Sequence, residues 1–98
     1  MKFKVLVHVK SDDVGVAVEE IAPGERVGFV SLDEVGFEGL IEVLDTIPIG
    51  HKIALKEISS GANVIEYYRP IGIATSNIKT GELVRIHNIR SLRWRDGL

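Results

Sequence analysis

Cysteine is absent from the chain, which excludes disulfide staples, thiolate metal sites and a cysteine nucleophile. An excess of charge of either sign is also missing. Twelve Lys and Arg face fourteen Asp and Glu for a net charge of −2, so no general field draws the chain to nucleic acid or an anionic membrane, and any partner is recognised locally. No stretch approaches the roughly 20 apolar residues of a membrane-spanning helix. The opening "MKFKVLVHVK" interrupts its apolar residues with Lys4 and His8, unlike a secretory leader. A cytoplasmic protein with neither nucleic acid nor membrane as partner is the expectation. Several chemical signatures are lacking too: H-x-H and H-x3-H metal pairs, carboxylate-rich calcium loops, G-x-S-x-G, and a Gly-rich phosphate loop leading into a helix.

What is present is a repeat. "VAVEEIAPGERV" at 16–27, "IALKEISSGANV" at 53–64 and "IATSNIKTGELV" at 73–84 obey one rule. Val or Ile is followed by Ala, then Ile four residues after the Ala, Gly three later and Val three later again. In "APGE", Pro23 pre-sets the torsion of the second turn position and Gly24 supplies the positive φ of a type II turn at the third. Gly61 and Gly81 are expected to turn the same way. Ile21, Ile58 and Ile78 anchor the turns in the core, and Val27, Val64 and Val84 open the following strands. The starts at 16, 53 and 73 are unevenly spaced, which argues for hairpins folded onto one another and against a solenoid.

"KFKVLVHV" alternates with a period of two, the mark of a strand with one buried face. Residues 31–47 admit two readings. Ser31 and Glu34 resemble a capping box that would open a helix, whereas Gly36, Gly39 and the "LIEVLDTI" preceding Pro48 favour a strand, which is preferred. The expectation is one all-β domain over residues 1–90, with at most one short helix or 3-10 turn, and a tail at 91–98. That tail holds Arg93, Trp94 and Arg95 and reads as a frayed end or docking arm.

Three histidines carry the potential chemistry. His8 shares a strand face with Lys4 and Lys10 and reads as solvated or as a binding residue. His51 follows "IPIG", where Pro48 and Gly50 shape a loop, a common location for functional residues. His87 in "RIHNI" reads as a surface residue of a late strand. "SDD" at 11–13 reads as a turn rather than an ion site.

The segments "VHVKSDDVGVAVEEIAPGERV", "IPIGHKIALKEISSGANV" and "IGIATSNIKTGELVRIHNI", in this order, resemble the SAF domain of the altronate and galactarate dehydratase family over about residues 5–90. They resemble in particular the versions that exist as free small subunits, such as the alpha subunit of sulfolactate sulfo-lyase. The resemblance implies a β-clip fold of bent hairpins. It further implies a small, non-autonomous lyase subunit that completes or covers the active site of a separate large catalytic subunit. The implied substrate is a sugar acid or other 2-hydroxy acid. A divalent metal, iron(II) or manganese, is expected mainly on the large subunit, with no ligands assigned on this chain.

Carried over by position, the resemblance implies His51 and Lys52 as catalytic residues and His8, His87 and Asn88 as substrate-binding ones, to which Arg85 is added as a substrate-binding candidate at a position where the chain departs from its relatives. The chain departs from relatives at Tyr68, commonly Gly, and at Arg85, commonly His. A guanidinium binds a carboxylate or sulfonate through two parallel hydrogen bonds, so Arg85 is a specificity candidate against a plain surface charge. The competing reading is a carbohydrate-acid binding or assembly module without catalysis, since SAF-type domains also occur in sialic acid synthases, antifreeze proteins and pilus or flagellar chaperones. Self-association is left open.

Overall fold

A computed structural model describes residues 3–92; the Arg93, Trp94 and Arg95 of the expected docking arm lie outside the described residues. The strands are β1 (Phe3–Val7), β2 (Val14–Ala17), β3 (Arg26–Ser31), β4 (Glu38–Glu42), β5 (Lys52–Ala54), β6 (Asn63–Glu66), β7 (Arg69–Ala74), β8 (Leu83–Val84) and β9 (Ile89–Ser91). They form a six-stranded sheet in the order β4-β3-β1-β2-β5-β8 and a three-stranded sheet in the order β6-β7-β9. All neighbours are antiparallel except β1 and β3. The fold is all-β, as expected, and no helix occurs among the described residues.

The segment 31–47 resolves as a bend followed by β4. The helical alternative fails at its cap. Ser31 Oγ is engaged with the Asp33 carboxylate and accepts from the Asp33 N–H, while Glu34 turns away to Lys10 at 3.3 Å. Gly36 then takes a φ of 89°, which a right-handed helix does not contain.

The repeated turns have the expected form. Gly24, Gly61 and Gly81 take φ values of 90°, 86° and 92°. In each turn the residue after the Gly donates its N–H to the carbonyl three back, Glu25 to Ala22, Ala62 to Ser59 and Glu82 to Lys79. Glycine is required here because an L side chain at this φ strains the backbone. The anchors Ile21, Ile58 and Ile78 are at most 5% exposed. Burial of each contributes roughly 1.5–3 kcal/mol.

A fourth, degenerate copy emerges from the fold. Val43, Ile47, Gly50 and Ile53 have the same spacing, with Val in place of Ala. Gly50 has a φ of 80°, and His51 N donates to Pro48 O. The four copies interlock as two reciprocal pairs. In one pair Ile21 and Ile47 exchange both backbone hydrogen bonds, Gly24 N donates to Val43 O, and Gly50 N donates to Ala17 O. In the other, Ile58 and Ile78 exchange theirs, Gly61 N donates to Ala74 O, and Gly81 N donates to Ala54 O. Each pair has its own apolar cluster. Val5, Ala17, Ile21, Val43, Ile47 and Ile53 belong to the first, and Val14, Ala54, Ile58, Val64, Ala74 and Ile78 to the second. The small alanines let the two backbones of a pair approach.

Strand β1 is tied to the first turn through Lys4, whose ammonium lies 2.8 Å from Glu25 and 3.6 Å from Glu19. The Glu25 hydrogen bond raises its pKa against the opposing desolvation, and the charges of Glu25 and Glu19 add to the rise.

Candidate functional site

The interlocked turns set the position of the site. Because Gly50 N is fastened to Ala17 O, and His51 O accepts from Ala17 N, the chain enters β5 with Lys52 as its first residue. Strand β8 lies antiparallel to β5 with Lys52 opposite Val84. Extending that register by one residue brings Arg85 level with His51. These groups, with Glu66 from the end of β6, line a cleft of about 500 Å³ at the junction of the two sheets, walled on its apolar side by Ile71, Val84, Ile86 and Ile89.

Polar groups meet along this cleft. Lys52 Nζ lies 3.7 Å from Glu66 Oε1. The other oxygen, Oε2, lies 3.7 Å from His8 Nε2. One carboxylate, only 11% exposed, thus spans a lysine and a histidine that are more open to solvent. His51 Nδ1 is 3.3 Å from Ile49 O, which orients the ring. Arg85 is exposed, and no carboxylate among the described residues pairs with its guanidinium. Two cations, an imidazole and the Glu66 carboxylate thus line one partly apolar cleft.

The sequence-predicted residues divide into groups. His51, Lys52 and Arg85 come together in the cleft. His8 reaches its edge through Glu66 and packs against the Tyr67 ring at 5.9 Å between centroids. His87 and Asn88 do not line it. The expected late strand around His87 is instead a turn over 85–88, and the reason is Asn88. Its side chain is buried, accepting from Arg85 N at 2.9 Å and donating to Leu83 O at 2.8 Å. That closure ends the alternation, leaves His87 exposed at the tip and fixes the backbone from which Arg85 projects.

Two functional features were missed by sequence reasoning. Glu66 carried no motif, and its importance arises only when the β6–β7 hairpin folds back towards β1 and β5. Asp12 read as part of an ordinary turn. It is fully buried, and its carboxylate accepts from Tyr67 N at 2.7 Å and Val9 N at 3.2 Å. Neighbouring Asp13 accepts from Ile65 N at 2.8 Å. Together they staple the hairpin beside the cleft and hold Glu66 in register. The hairpin tip needs such support. Tyr67 and Tyr68 both have positive φ, 55° and 67°, a conformation costing a non-glycine residue roughly 1–2 kcal/mol.

Among the described residues no three His, Asp or Glu side chains converge as a metal-binding set, so the residues present do not fit the divalent ion implied by the resemblance. No described helix is long and apolar enough to cross a membrane.

Comparison with known proteins adds to the geometry. The alpha subunit of (2R)-sulfolactate sulfo-lyase from Chromohalobacter salexigens is 36% identical over 96 residues, covering 96% of this chain and all of that protein. Altronate dehydratase from Bacillus subtilis is 36% identical over 91 residues, which are 93% of this chain and 17% of that longer protein. Altronate dehydratase from Escherichia coli is 39% identical over 80 residues, 82% of this chain and 15% of that protein. The model of the altronate/galactarate dehydratase SAF domain matches residues 3–92. With that match running from β1 through β9, and the interlocked turns it encloses, the chain belongs to the altronate/galactarate dehydratase SAF-domain family.

Proposed function

We propose that this chain is the small, non-autonomous subunit of a lyase that eliminates a leaving group from a 2-hydroxy acid, and that its cleft closes against a separate large catalytic polypeptide. Relatives support this division of labour. The same unit occurs as a whole alpha subunit in one relative and as about a sixth of a longer dehydratase in another. The observation that carries the reading is that Lys52 and Arg85, distant in sequence, line one cleft together with His51.

Elimination from a 2-hydroxy acid transfers the proton next to the carboxylate to a base, which this reading places on the large polypeptide. Negative charge grows on the carboxylate oxygens, and the electron pair then forms the carbon–carbon double bond as the group on the neighbouring carbon departs with its bonding pair. Cations already in place stabilise that charge without reorganising. Lys52 and Arg85 take this role, Arg85 holding an anionic group through two parallel hydrogen bonds and Lys52 meeting a carboxylate as a point charge. His51 hydrogen-bonds the hydroxyl. Asn88 acts through the backbone of Arg85, and His8, beside Glu66 at the cleft edge, meets the outer part of the acid. Closure of the large polypeptide over the cleft excludes water. The divalent ion belongs, on this reading, with that polypeptide.

The test is kinetic. In the reconstituted complex, Lys52→Ala or His51→Ala should lower turnover about 100-fold, the scale of a lost catalytic hydrogen bond, with the complex intact by gel filtration. The isolated chain should be inactive. Unchanged kinetics in both variants would refute the assignment, and an active isolated chain would refute the division of labour.

A further inference from the structure

The two-residue loop joining Glu66 to its β7 partner Arg69 has positive φ at both positions, the signature of a type I′ turn, for which Asn-Gly is the favoured pair. Here it is made by two tyrosines. Neither ring is buried in return for the strained backbone: Tyr67 is 63% and Tyr68 71% exposed. The conformation is nevertheless fastened from beneath by buried Asp12, bonded to Tyr67 N. The rings lie 6.1 Å apart and, with His8, Val9, Leu32 and Asp33, border a shallow hollow. Leu32 is itself 61% exposed.

We infer that Tyr67 and Tyr68 are the anchor by which this chain docks onto the large polypeptide, an inference that rests on the reading under Proposed function. Three observations commit the surface to that occupant. Glu66, the residue before Tyr67, lines the cleft, so a polypeptide that closes the cleft passes over the tip. The Bacillus relative carries 83% of its length outside the matching unit, which is the mass such a surface would meet. Finally, the backbone that presents the rings is already fixed through Tyr67 N and Asp12, and tyrosines, with only two side-chain torsions to order, are enriched among residues that dominate interface energetics. The complementary surface is an apolar recess edged by hydrogen-bonding groups for the two phenol hydroxyls.

The Tyr67→Asn, Tyr68→Gly double variant separates this role from a structural one. It supplies the pair that the turn favours, so the free chain should melt a few degrees higher. Affinity for the large polypeptide should fall at least tenfold. The measurement uses tagged wild-type chain purified from its host, identification of a co-purifying large polypeptide of this family by mass spectrometry, and titration of both forms of the chain against it. If the wild type captures no such polypeptide, this inference and the reading beneath it both fall. If the wild type binds and the double variant binds equally well, the tyrosine anchor alone is overturned.

Discussion

Lys52, the first residue of β5, and His8, just past the end of β1, lie against opposite oxygens of one Glu66 carboxylate, each at 3.7 Å. The consequence is positional, because Lys52 is over a third exposed and would otherwise sample many rotamers. In the complex, Glu66→Gln should lower kcat/KM at least tenfold. Stability of the isolated chain should change by less than about 1 kcal/mol, since Lys52 and His8, the partners of the part-buried carboxylate, are themselves open to solvent and the contacts are long at 3.7 Å. Steady-state kinetics beside urea denaturation checks both halves; a stability loss with normal kinetics would assign Glu66 to the fold alone.

Arg85 should govern affinity for the acid. Arg85→Lys keeps the charge but loses the two-pronged geometry. Loss of a charge-assisted hydrogen bond corresponds to roughly 1.5–3 kcal/mol, which is about a 10–100-fold rise in KM, with a smaller change in kcat. An unchanged KM would mean that Arg85 is a surface charge.

Asp12→Ala removes the acceptor for two backbone N–H groups at a fully buried position. Leaving such donors unsatisfied costs about 1–3 kcal/mol each, so a midpoint shift equivalent to about 2–6 kcal/mol is expected in urea denaturation. Asp12→Asn, which retains one acceptor oxygen, should lose less.

The turn glycines are predicted to differ in tolerance. A Cβ at Gly24 would meet nothing within 4 Å, whereas one at Gly81 would lie 2.1 Å from Glu42 O. Gly24→Ala therefore carries only the backbone term, roughly 1–2 kcal/mol. Gly81→Ala should exceed it by about 1–3 kcal/mol, the usual range for forced overpacking. Equal denaturation midpoints for the two variants would contradict the packing of Glu42 against the last turn.

How much of this was legible in the sequence follows from which interactions are local. The turns at Gly24, Gly61 and Gly81 were readable because a type II turn is specified within four residues and its Ala and Ile anchors are spaced in register. The fourth copy was hidden because Glu42, Val43 and Ile53 stand where the rule has Val or Ile, Ala and Val, and because Ile53 both ends this copy and begins the next. At the cleft, His51 and Lys52 were singled out from motif position and Arg85 as a departure from it, and the fold brings the three into one lining. Glu66 was not singled out, because "NVIEYYR" has no local signature and its partners, His8 just after β1 and Lys52 on β5, are remote in sequence. The strand expected through His87 failed because alternation cannot register a buried Asn88 side chain closing the turn. The Ser31 and Glu34 capping pattern failed similarly, when tertiary partners Asp33 and Lys10 took up the groups that would have capped a helix.

Four equivalent corners follow from the interlocked turns, and the residue after each glycine holds the same station: Glu25, His51, Ala62 and Glu82. At two of them the side chain serves the scaffold, Glu25 accepting from Ala22 N and Glu82 from Lys79 N. Ala62 shows that the corner closes without any such bond. The framework closes with Glu, His or Ala at that station, so the corner occupied by His51 is one where the side chain can be re-lettered while the chassis stays unaltered.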